Sequence, residues 1–271
     1  MNILGLGNVG CSIAKQFAKY KQFSIHLVDT ENQGGSCFIL PEYAKAEDYE
    51  QKYINLPFEL QDDLTIILCG DEIMCCSSLR ILEQYKHLEL NVIYVKPDTK
   101  FLNQTQIMVD RVVSGVLQEL TRSAKISSMF LLDFKNVSDI IGKVSLKDKE
   151  SKLHETVASS YYMKNMFDNI GPILDKIIES PATYSIKTFG IMDLQSGEEK
   201  FFYPLDEIRE KRYNYYISKT KLDSDVDLSD HIEHQIGSKF KENLKVSYAV
   251  YESPLEQSSV YIEIKTPHIQ S

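Results

Sequence analysis

The stretch Asn2-Ile3-Leu4-Gly5-Leu6-Gly7-Asn8-Val9-Gly10-Cys11, continued to Asp29, decides how the chain is read. Residues 2–4 are a short apolar run that reads as a buried strand, the glycines permit a tight turn, and Val9, Ile13, Phe17 and Tyr20 then recur at helical spacing. Residues 23–28 form a second apolar strand, which stops at Asp29. Strand, glycine-rich turn, helix and strand open a nucleotide-binding α/β unit, in which backbone N–H groups at the helix start face a phosphate. On that reading Gly5, Gly7, Asn8, Val9, Gly10 and Cys11 form the phosphate turn. Asp29 falls roughly 20 residues after the last glycine, where a dinucleotide fold places its ribose ligand. The competing reading keeps the glycines for close helix–sheet packing alone.

Composition narrows the function. A chain of 271 residues is long enough for two domains. Its net charge of −9, with no local lysine or arginine cluster to offset it, disfavours nucleic acid as a partner. The sequence runs straight into the turn without a leader-like basic and apolar pair of segments, and no apolar run reaches membrane-spanning length, so a cytoplasmic protein with no membrane partner is expected. Cys11, Cys37, Cys69, Cys75 and Cys76 are odd in number and lack zinc spacing, as reduced cytosolic thiols would be, and no metal site is expected.

Beyond Asp29 the pattern repeats. Residues 64–69 and 91–95 are continuous apolar runs, as strands buried on both faces of a parallel sheet should be. Val109, Val112, Val113, Val116, Leu117 and Leu120 make the stripe of a long helix, and residues 128–132 are a further strand ending at Asp133. These β-α units predict a Rossmann-like, doubly wound parallel sheet over residues 1–150. A long helix over 153–179, kinked at Gly171-Pro172, is then expected to connect, as residues 151–180, to a smaller α+β domain over 181–271. In that domain residues 184–194 and 200–203 flank a turn, and the strands at 245–252 and 258–265 alternate as if one sheet face were solvated.

That order of elements resembles the tubulin/FtsZ superfamily. The turn at Gly5 to Gly10 sits where the family has its first phosphate loop, residues 64–70 resemble the strand entering its signature loop, and Val92 to Pro97 resemble the strand ending in its Lys-Pro pair. Tyr161 and Asn165 have the spacing of the aromatic and asparagine that contact guanine from the connecting helix. The resemblance therefore implies a tubulin-like fold, GTP or GDP as ligand with magnesium as a companion, and action through self-association or a protein partner. Two motifs depart from the family. Its signature, close to G-G-G-T-G-T-G, reads here Gly70-Asp71-Glu72-Ile73-Met74-Cys75-Cys76, so two carboxylates stand where the backbone should wrap phosphates. The loop after the connecting helix, Pro181-Ala182-Thr183-Tyr184-Ser185, has no acid to activate water. The resemblance thus implies a vestigial guanine-nucleotide site, with Gly70, Asp71 and Glu72 at its rim, and weak or absent GTPase activity.

Two other readings stand beside this one: an NAD(P)-binding enzyme using Asp29 as ribose ligand, and a structural protein with no ligand. Cys11 at a helix start could carry a lowered thiol pKa. The tyrosines of Arg212-Tyr213-Asn214-Tyr215-Tyr216 could form a contact surface or simple strand packing.

Overall fold

The computed structural model describes residues 1–176 and 185–270. Its strands are β1 (Asn2–Leu6), β2 (Ser24–Asp29), β3 (Cys37–Ile39), β4 (Leu64–Cys69), β5 (Leu90–Lys96), β6 (Ser128–Asp133), β7 (Leu174–Lys176), β8 (Ile186–Met192), β9 (Glu199–Phe201), β10 (Glu210–Ser218), β11 (Lys245–Ser253) and β12 (Ser259–Thr266). The helices are α1 (Gly7–Lys15), α2 (Ala46–Gln51), α3 (Ser78–Gln84), α4 (Gln104–Arg122), α5 (Phe134–Ile141), α6 (Lys149–Asn169), α7 (Lys219–Ser224) and α8 (Leu228–Gly237).

Strands β1 to β6 are parallel in the order β3-β2-β1-β4-β5-β6. Alternate residues divide the core. Leu4, Leu6, Ile66 and Leu68 pack with α3 and α4, whereas Ile3, Ile67 and Cys69 pack with α1, α5 and α6. Both faces are covered by helices, which explains why these strands read as unbroken apolar runs. Polar caps place the helix starts: Asn103 and Gln106 form a reciprocal capping box at α4, and Asp133 accepts from the Lys135 N–H at 2.7 Å at α5. Val112, which the sequence assigns to the buried stripe of α4, is 47% exposed, while Val113 and Leu117 carry the burial.

Two expectations are corrected, and one sheet joins both parts of the chain. First, the connecting helix starts earlier and ends sooner than 153–179. It stops at Asn169, with Ile170 already extended (φ −106°, ψ 133°), two residues before Pro172, which has no N–H to extend the helical ladder. Pro172 therefore terminates rather than kinks the helix, and the chain turns into β7, which pairs with β11. The C-terminal strands continue the first sheet. β6 pairs with β8 through Met129 with Ile186 and Phe130 with Lys187, giving the path β6-β8-β12-β10-β11-β7. Second, β11 is buried along most of its length rather than solvated on one face, because α8 covers one side and Phe167 of α6 the other. The same packing removes the tyrosine contact surface: Tyr213 and Tyr215 are fully buried and Tyr216 is 8% exposed.

Candidate functional site

The carboxyl ends of β1 and β4 meet at the glycine turn. Gly7 has φ +75°, a conformation that side-chain-bearing residues rarely adopt, and it starts α1 directly from β1. Gly10 is a packing glycine, since a Cβ there would collide with the Ile67 carbonyl of β4. Gly5 is similarly constrained by the backbone of Gly10 and Cys11. The amides that would face an anion belong to Asn8 and Val9.

Those amides already face an anion. Glu72 Oε1 accepts from the Asn8 N–H at 2.9 Å, and the Glu72 carboxylate lies 2.8 Å from where a Gly7 Cβ would be. Its pKa is raised to about 7, chiefly by burial and then by the charges of Asp71 and Asp29, with the Asn8 and Val9 amides pulling it down. Asp71 Oδ1 is buried with no hydrogen-bond partner. Asp29 is 2% exposed, and its carboxylate accepts from Thr30 N at 2.6 Å, Glu31 N at 3.3 Å and Gln33 Nε2 at 2.7 Å. The residue on which the NAD alternative rests is thus tied up within its own loop. Among the described residues no group of three His, Cys, Asp or Glu side chains is arranged to hold a metal ion.

The segment after Gly70 turns inward. A Cβ at Gly70 would strike the Tyr94 hydroxyl, which is bonded to Asp110 Oδ1 at 2.5 Å. Residues Ile73–Ser77 form a 3-10 turn in which Met74, Cys75, Cys76 and Ser77 are buried, and Cys75 Sγ donates to the Cys69 carbonyl at 2.9 Å. Apolar side chains have taken the loop into the core, where a glycine run would leave its backbone free to wrap phosphates. Cys11 behaves likewise: it lies within α1 rather than in its first turn, donates to the Gly5 and Val28 carbonyls, and has its thiol pushed up to about 12 by burial, against any reactive role.

Tyr161 and Asn165 are not brought to this end of the sheet. Tyr161 is 1% exposed, its hydroxyl shares a 2.8 Å hydrogen bond with Thr65 near the amino end of β4, and its ring packs edge-on against Phe17 and Phe130. Asn165 Nδ2 reaches Met1 Sδ, beside the start of β1. The i, i+4 spacing is a property of any helix and does not fix which end of the strands the pair will face. Sequence reasoning missed His154, 5% exposed on α6, with its Nε2 unpartnered and its ring against Phe134 just beyond β6. A lone histidine among polar residues gives no signal of this.

The chain superposes on a GTPγS-form protofilament of TubZ from Bacillus thuringiensis serovar israelensis with a TM-score of 0.68 and 13% identity, covering 98% of this chain and 87% of the other. It superposes on an empty FtsZ dimer from M. jannaschii with a TM-score of 0.68 and 9% identity, over 98% and 87%. The GTPγS-bound protofilament of CetZ2 from Haloferax volcanii gives 0.64 and 8%, over 97% and 92%. The chain has the tubulin/FtsZ fold. No family model matches the sequence, and no curated protein matches it. No described helix of this tubulin/FtsZ-fold chain is long and apolar enough to cross a membrane. The loop at residues 180–185, which the sequence shows without an acid, lies outside the described residues except for Ser185.

The TubZ and CetZ2 neighbours were solved with GTPγS, and the residues present at the glycine turn of this chain do not fit nucleotide phosphates as they stand. A phosphate at the Asn8 amide has to displace Glu72 and then sit beside Asp71 and Asp29.

Proposed function

We propose that this protein is a self-associating member of the tubulin/FtsZ architecture whose guanine-nucleotide site is vestigial, held by its own Glu72, so that its contacts with other copies do not depend on nucleotide. The observation that carries the reading is the Glu72 carboxylate on the Asn8 amide. A helix N-terminus attracts one anion, and an internal one has the advantage of an effective concentration that a dissolved ligand must exceed. The buried course of Met74 to Ser77 supports the same reading, because a loop fixed by core packing cannot also close over phosphates. Self-association is supported by the neighbours, which were solved as protofilaments or a dimer.

Sedimentation across a protein concentration series, with and without GTP and magnesium, tests both halves. The expected result is sedimentation that rises with concentration and is indifferent to GTP. A monomer at every concentration contradicts self-association, and assembly only with GTP contradicts the vestigial site.

A further inference from the structure

The face of the sheet turned toward α6 is built in two parts. Near β6 it is apolar, with Phe130 and Phe189 stacked at 4.6 Å, as helix–sheet packing ordinarily requires. Farther along, beside the C-terminal half of α6, the same face carries Lys187, Arg212, Glu263 and Lys265, with Lys164 and Asp168 of α6 opposite. Together they line a cavity of about 180 Å³. Four cationic side chains there meet Glu263, Asp168 and, just outside the lining, Glu210, which leaves one cation in excess.

Most of these charges are paired. Glu263 takes Lys187 at 3.1 Å and Lys265 at 3.5 Å, and those lysines together with Lys164 hold its carboxyl down at about 2 despite burial. Lys265 also reaches Glu210 at 2.6 Å, and Lys164 reaches Asp168 at 2.6 Å. Arg212 is left over. Its cross-strand neighbour is Glu263, yet that carboxylate is committed to the lysines. Among the described residues Arg212 has no ion-pair partner; its Nε donates to Asn214 Oδ1 at 3.2 Å and one terminal nitrogen to the Tyr251 hydroxyl at 3.4 Å, both neutral. These two bonds orient the guanidinium, and a fixed guanidinium fork matches carboxylate or phosphate oxygens in a bidentate fashion.

We propose that this cavity binds a small oxyanion of the phosphate or dicarboxylate class, anchored by Arg212 and flanked by Lys187 and Lys164. The volume excludes a nucleotide, since sites for ligands of that size are roughly 300–1,000 Å³. The site shares no residue with the glycine turn, so it stands whether or not the nucleotide site is vestigial. An oxyanion there would bridge the connecting helix and the C-terminal strands.

The test is thermal unfolding of the full chain titrated with inorganic phosphate, with malonate, and with sodium chloride at matched ionic strength. The expected result is a saturable rise in Tm with phosphate or malonate that exceeds the chloride control. The preferred anion assigns the class. Arg212→Gln should weaken that response at least about tenfold, Arg212→Lys should weaken it less, and Arg122→Gln, which breaks an exposed ion pair outside the cavity, should leave it unchanged. No response beyond chloride in the wild-type protein overturns the proposal without reference to any variant. So does an undiminished response in a folded Arg212→Gln protein.

Discussion

Glu72 Oε1 accepts the Asn8 amide hydrogen at 2.9 Å, so the first turn of α1 is capped by a side chain sixty-four residues away rather than by its own N-cap, Leu6, which has no side-chain cap. The contact joins the loop after β4 to the loop after β1. It also places a third carboxylate beside Asp71 and Asp29, and the raised pKa of about 7 records that cost. A raised carboxyl pKa means that the folded state holds its proton more tightly than the unfolded one. The contribution to stability is therefore full below the unfolded value near 4.5 and is lost as pH rises through about 7. Glu72→Gln removes this dependence. We predict that the variant is more stable than wild type by roughly 2–3 kcal/mol above pH 7, and that the difference shrinks toward pH 4.5. Urea unfolding at several pH values measures it.

Gly7→Val is expected to destabilise the fold as well as reshape the turn. The φ of +75° strains any β-branched residue, and the new Cβ falls 2.8 Å from the Glu72 carboxylate. A loss of about 2–3 kcal/mol is expected in chemical denaturation. Gly10→Ala should be at least as damaging, because its obstacle is the Ile67 carbonyl and backbone cannot step aside as a side chain can.

Much of the fold was legible because parallel strands covered on both faces have an unmistakable composition: residues 64–69 and 128–132 could hardly be anything else. The glycine turn was legible too, by its place between β1 and α1. The occupant of the turn was not. Asp71 and Glu72 could be seen to burden a phosphate, but only the inward course of Met74, Cys75 and Cys76 swings Glu72 back onto Asn8. Tyr161 and Asn165 were misleading for a related reason, since helical spacing says which residues share a face and is silent about their height along the strands. The polar cavity beside Arg212 escaped notice because Lys187, Arg212 and Lys265 come from three strands whose pairing no local pattern announces.

Tyr161→Phe isolates the role of that tyrosine. Its hydroxyl serves Thr65 at the opposite end of the sheet from Glu72, so the change should cost about 1–2 kcal/mol in stability through the orphaned Thr65 hydroxyl. It should not alter any nucleotide affinity. Equal loss of affinity and stability would return Tyr161 to a ligand-binding role.

GTP hydrolysis should be negligible at all protein concentrations. The nearest downstream acid, Asp193, is occupied as a turn former: its Oδ1 accepts from Gln195 N at 3.0 Å, Ser196 N at 2.7 Å and Ser196 Oγ at 2.9 Å, and the Ser196 bonds hold its pKa low. A missing general base alone removes about 10²- to 10⁴-fold in rate. Phosphate release measured over a concentration series should stay at the buffer rate, and Asp193→Ala should not change it. Turnover that rises with concentration and vanishes in that variant would mark a working assembly GTPase.

The most direct test of Glu72 as the resident anion of the nucleotide seat is a calorimetric titration of GTP, GDP and NAD into wild-type protein and Glu72→Gln at pH 7.5. We predict that wild type binds none of them with a Kd below about 100 μM, and that the variant gains at least about tenfold in affinity for GTP or GDP. Submicromolar GTP binding by wild type, left unchanged by Glu72→Gln, would contradict the account.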